Sequence, residues 1–184
     1  ELPELKVVVA GLNSTMRESH KEKDPKDPGS IFGHYGYVGE AQLHWFKNKL
    51  EEAERKGWLR IGLVHHNALR GATDDDENLR DAPLLKDRIG SLLNLLLHGH
   101  THNGSLGFLD HDLPVISTGS AAVKAEQRPE EVPNQYQIIQ VRRDGFTTWA
   151  QQYTPALRKW IADPRISKNG REGFHHHPLA LPNT

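Results

Sequence analysis

The sequence predicts an α/β fold, and three observations lead there. In the first half, short runs rich in Val, Ile and Leu alternate with segments of helical period, in the order strand, helix, strand, helix, strand. In the second half only short alternating runs occur, which reads as an antiparallel meander. Between the halves, Leu95-Leu96-Leu97 runs straight into His98-Gly99-His100-Thr101-His102-Asn103-Gly104, poor material for a core and good material for a metal.

Residues 5–12 (LKVVVAGL) form an apolar run expected as a central strand, with Asn13-Ser14-Thr15 as a polar loop at its carboxyl end. Residues 17–30 are charged, proline-interrupted and aperiodic, so they read as an exposed loop with His20 at the surface. In residues 31–39 glycines mix with aromatics. This stretch reads as a turn that packs Phe32, Tyr35 and Tyr37, or as one that sets His34 or Tyr35 at a pocket mouth. Over residues 40–56, Leu43, Phe46, Leu50 and Ala53 share one helical face, His44 sits beside that stripe, and Gly57 is placed to end the helix in the left-handed conformation. Residues 58–64 (WLRIGLV) are a second strand that delivers His65-His66-Asn67.

The acidic loop that follows contains Asp74-Asp75-Asp76-Glu77, which lacks the alternating ligands and turn glycine of a calcium loop and reads as solvated. Asp81 with Pro83 starts a second helix that Gly90 stops, and residues 92–97 are the third strand. Strands follow at 105–109, 113–117, 136–141 and 146–153, the last two joined by an Asp144-Gly145 hairpin signal. From Pro155 the periodicity is lost. The expected division is therefore a domain over residues 1–153 and a tail or linker over 154–184, with Trp160 and Ile161 able to dock and His175-His176-His177 solvated.

Composition narrows the function classes. With 36% hydrophobic residues and a mean hydropathy of -0.67, the 184-residue chain reads as one folded unit with polar loops or tails. Its 23 Lys and Arg against 24 Asp and Glu leave a net charge of -1, which gives no electrostatic case for nucleic acid or an anionic membrane as partner. The absence of cysteine excludes disulfides and thiolate metal sites and fits a cytoplasmic protein. There is no membrane-length apolar stretch and no signal-peptide pattern.

Two strand ends thus carry histidine, and in an α/β sheet ligands collect beyond the carboxyl ends of the strands. Gly99-His100-Thr101-His102 after an apolar strand, with Leu63-Val64-His65-His66-Asn67 upstream, resembles the last two metal motifs of the calcineurin-like metallophosphoesterases. The helix around Gln42-Leu43-His44-Trp45 and the Val115-Ile116-Ser117-Thr118-Gly119-Ser120 turn resemble that family's context, so the likeness runs over roughly residues 5–153. The resemblance implies a β-sandwich flanked by helices in αββα layers. It also implies His65, His100 and His102 as ligands of two metal ions (Mn, Fe, Zn or Co), with His66, Asn67 and His98 supporting ligands or touching substrate. The implied activity is hydrolysis of a phosphoester substrate by a metal-activated water.

The family's first three motifs, DxH, GDxx and GNH, have no counterpart upstream of His65. The bridging aspartate and the other catalytic groups are therefore expected outside this chain, on an N-terminal half of the same domain. This chain reads as the C-terminal half, inactive alone. A second reading is a non-catalytic scaffold or sensor module with a vestigial site. A third is a mononuclear zinc site on His65, His100 and His102.

Overall fold

The computed structural model describes residues 1–15, 23–24, 27–31, 35–69, 78–110, 112–142, 144–166 and 174–178, the side chains of 23–24, 27–31 and 174–175 excepted. His20, Phe32, His34 and the run Asp74 to Glu77 lie outside the described residues.

A five-stranded sheet is laid down by the predicted alternation. Strand β1 (Val7–Leu12) pairs in parallel with β4 (Leu59–Val64), β4 with β5 (Leu95–His98), and β5 with β7 (Leu113–Ser117), while β6 (Ser105–Leu109) closes the far edge antiparallel to β7. Parallel neighbours need crossover connections, and the two helices supply the cover for one face. Leu43, Leu50 and Ala53 of α1 (Glu40–Arg55) and Ala82, Leu85 and Ile89 of α2 (Ala82–Ile89) pack with Val8, Ala10, Leu12, Val64, Leu96 and Val115 in one buried cluster. Each such leucine contributes about 1.5–3 kcal/mol when fully buried. As expected, Gly57 takes the left-handed conformation (φ 67°) just past α1. His44, beside the apolar stripe, is exposed.

The other face of this sheet meets a second, antiparallel sheet. Strand β9 (Gly145–Thr154) pairs along one edge with β8 (Gln135–Val141) and along the other with β10 (Lys159–Ala162) and β11 (Phe174–Pro178) in tandem. Phe146 fills the space between the sheets against Leu95 and Ile116, with Leu97, Leu106, Ile139 and Val141 around them. The result is a mixed α/β fold with sheets flanked by helices. No helix among the described residues is long and apolar enough to cross a membrane.

Two short pairings lie where sequence periodicity showed none. Residues 23–24 and 27–31, inside the stretch read as a loop, form an antiparallel pair, β2 (Lys23–Asp24) with β3 (Asp27–Ile31). Within 154–184, β10 and β11 are edge strands of the second sheet. Both pairings are made by backbone groups, which need no apolar alternation.

The start of α1 is held from a distance. Gly39, the residue before it, has φ 83°, and no side chain of its own caps the helix. Instead the buried Asp81 carboxylate accepts the Val38 N–H (3.1 Å) and the Gly39 N–H (2.7 Å), putting negative charge at the helix N-terminus and tying α1 to α2. Asp81→Ala should therefore lower the unfolding free energy in urea by about 1–2 kcal/mol with the slope of the transition unchanged. No change in the midpoint would refute that role.

Candidate functional site

The carboxyl ends of β4 and β5 lie side by side, because Val64 is in register with His98. That register alone brings the two histidine motifs together. The Gly99 N–H donates to the His65 carbonyl (3.0 Å) and the Thr118 N–H to the His98 carbonyl (2.9 Å), so the loops after β4, β5 and β7 form one floor.

On it, the imidazoles of His65, His66 and His100 cluster with ring centroids 4.7–5.1 Å apart. His65 Nε2 and His100 Nδ1 stand 2.8 Å apart, so one carries a proton and donates it to the other. Two nitrogens bound at about 2.0–2.1 Å to one tetrahedral zinc would lie about 3.3 Å apart with lone pairs converging on a third point. Here they face each other. His102 does not join the group: its Nδ1–H donates to the Gln127 carbonyl (2.6 Å), and among the described residues it makes no ring contact with the others.

Neither Gly99 nor Gly104 uses positive φ; the left-handed conformation falls on His100 (φ 65°) and His102 (φ 51°), where a side chain makes it costly. Gly104 is instead closely packed. A Cβ there would come within 2.8 Å of Ile166 Cδ1 and 3.1 Å of Gln137 Nε2.

The residues expected to support a site are occupied structurally. His66 is buried, its Nδ1 2.8 Å from Ser14 Oγ, with the Gly36 backbone pressed so close that a Cβ would meet the ring at 2.4 Å. Asn67 bonds Asn78 Oδ1 through Nδ2 (3.1 Å) and accepts the Leu69 N–H (2.8 Å), an Asx turn. His98 is buried. Its Nδ1–H donates to the Gly99 carbonyl (3.1 Å), and Nε2 has no partner among the described residues. Burial lowers its pKa, the Gly99 bond opposes this, and the nearby His65 lowers it further.

Sequence reading missed the groups that hold the turn from below. Gln135 Oε1 accepts the Gly104 N–H (3.0 Å), and Gln135 Nε2 donates to Asp163 Oδ2 (2.6 Å). Burial alone would raise the fully buried Asp163 carboxyl, but hydrogen bonds from Arg165 and Gln135 hold it below its ordinary range. Ser117 Oγ donates to the Asn103 carbonyl (2.7 Å), and Gln137 Nε2 to the Ser117 carbonyl (2.6 Å). The sequence signals this network only through the spacing of Gln135 and Gln137, two apart on β8.

No protein-family model matches the chain, and no curated protein sequence does. Solved structures do. A dimetal phosphatase from Danio rerio is 14% identical, with 69% of this chain and 38% of that chain covered and a TM-score of 0.52. Vps29 from Chaetomium thermophilum is 14% identical over 95% of this chain and 97% of its own, with a TM-score of 0.37. Vacuolar protein sorting 29 from Cryptosporidium parvum is 10% identical over 92% and 97%, with a TM-score of 0.38. The last two superpose too loosely to bear on this chain's function. The chain spans only 38% of the dimetal phosphatase, and that likeness shows the fold alone.

The expectation of a metal-dependent phosphoesterase is corrected. Among the described residues no group of three or more His, Cys, Asp or Glu could hold a metal ion. His65 and His100 bond to each other, His102 turns to Gln127, and no described carboxylate joins them. The hydrolase and phosphatase reading, the two ions (Mn, Fe, Zn or Co) and the mononuclear zinc alternative lose their basis together, since among the described residues the donor set fits neither one ion nor two.

His98 provides a test of the site's electrostatics. With its folded pKa below the unfolded value of about 6.5, the unfolded chain binds the extra proton, so stability falls as pH drops through about 6.5 and levels off below the folded pKa. His98→Gln should flatten part of that decline in urea midpoints measured across this range, and an identical slope in the variant would refute the assignment.

Proposed function

We propose that the chain is a non-catalytic scaffold or sensor module built on a metallophosphoesterase-related fold, with His65, His100 and His102 marking a vestigial site. The direct His65–His100 contact at 2.8 Å carries this reading, because a site kept for metal holds its imidazoles around an ion and not against one another. His66, Asn67 and His98, tied into the surrounding loops, act in this reading as supports of the turn. The 38% coverage of the dimetal phosphatase and the absence of DxH, GDxx and GNH upstream of His65 support reading the chain as the C-terminal part of such a domain, with an N-terminal half as one partner. The unit is taken as residues 1–153, with 154–184 appended to it through β10 and β11. The absence of cysteine supports a cytoplasmic setting.

Metal analysis after dialysis against Mn, Fe, Zn and Co, together with hydrolysis of an aryl phosphate, tests this. Substoichiometric metal and no turnover are expected, and His100→Ala with His102→Ala should change neither. One or two ions per chain with hydrolysis that those substitutions abolish would overturn it.

A further inference from the structure

We propose that an extended polypeptide segment docks as an added strand on the outer edge of β1, between Val9 and Gly11, and seats a neutral apolar side chain over Gly11. It would give the scaffold reading a partner surface whose backbone contacts lie on β1 and whose hollow is lined in part by His65 and His98.

Strand β1 ends the five-stranded sheet, so one of its edges has no neighbouring strand among the described residues. The Lys6 carbonyl accepts the Leu59 N–H of β4 (2.8 Å), and in a parallel ladder alternate residues bond to the same side. Even-numbered residues therefore face β4, and Val7, Val9, Gly11 and Asn13 turn their N–H and C=O outward. The chain closes both ends of that outer edge itself. The Val7 N–H donates to the Leu2 carbonyl (3.2 Å), and the Val7 carbonyl accepts the Leu2 N–H (2.8 Å). The Asn13 N–H donates to Gln42 Oε1 (2.7 Å), and its carbonyl accepts from Gln42 Nε2 (3.0 Å), a side-chain amide standing in for a strand. Between these two closures Val9 and Gly11 have no outward partner among the described residues.

The adjacent surface suits the same occupant. Val9 is 38% exposed and Leu63, on β4, is 40% exposed, both on the sheet face away from the helices. Gly11 leaves a gap, since a Cβ there would meet nothing within 4 Å. It opens on a hollow of about 340 Å³ lined also by Leu63, His65, Leu97, His98, Gly99 and Thr118. No Asp, Glu, Lys or Arg lines this hollow, so a charged side chain entering it would lose water without gaining an ion partner. The charge match is to a neutral apolar residue on a strand whose backbone takes the two open N–H and two open C=O groups.

Nuclear magnetic resonance of the isotope-labelled full chain, titrated with the peptide Lys-Val-Thr-Val-Thr-Val-Lys capped at both ends, tests this. Saturable shifts centred on the Val9 and Gly11 amides and the Leu63 methyls are expected. Gly11→Pro, which removes one outward donor, should weaken binding about tenfold. Two versions of the peptide, N-methylated on one or the other alternate set of amides, cover the case in which Gly11→Pro fails to fold. On the unmodified chain one of them should bind about tenfold more strongly than the other. Absence of saturable shifts at Val9 and Gly11, or equal binding of the two methylated peptides, would overturn strand addition. So would a concentration-dependent dimer that protects the same amides without peptide, since the occupant would then be a second copy. Metal content and hydrolysis enter none of these outcomes, so failure here is distinguishable from failure of the scaffold reading.

Discussion

A single buried carboxylate ties the second sheet to the turn that the first sheet presents. Asp163 lies with no exposed surface, held by Arg165, and its second role is to receive the amide of Gln135. That orients the Gln135 carbonyl oxygen onto the Gly104 N–H at the end of the histidine turn. An unpaired buried carboxylate would be costly, so the three groups stand or fall as a unit. The positions of His100 and His102 rest on this joint as much as on the strand that delivers them.

Much of the architecture was legible because apolar periodicity is a direct record of burial. The α1 stripe of Leu43, Leu50 and Ala53 and the apolar run at β5 reflect packing against neighbouring layers, whereas β1, expected as a central strand, is an edge strand, and Val9 of β1 and Leu63 of β4 are exposed on the face away from the helices. Strands β2, β3, β10 and β11 were not legible, since pairing along an edge is paid for by backbone groups that every residue carries. The nearness of His65 to His100 could be foreseen from the rule that strand ends converge. The direction in which each imidazole points could not. That direction depends on positive φ at His100 and His102 and on contacts far along the chain, such as Ser14 with His66 and His102 with Gln127.

The motif and the geometry therefore separate two things that sequence alone merges. Gly99-His100-Thr101-His102 is, in its residues, a loop that resembles a metal motif. Whether a loop of that shape holds an ion depends on the lone pairs converging, and here two of them are used against each other. A ligand set is a property of directions, not of composition.

The two closures at the ends of β1 have a consequence for how the molecule behaves in crowded solution. Cross-β growth needs a run of about six or seven residues free to template an incoming chain. Leu2 and Gln42 cut the open edge to the two residues Val9 and Gly11, too short to seed a fibril. The same gap is long enough to admit one short strand, so at this edge the bar to templated growth and the room for a guest are set by the same few backbone bonds.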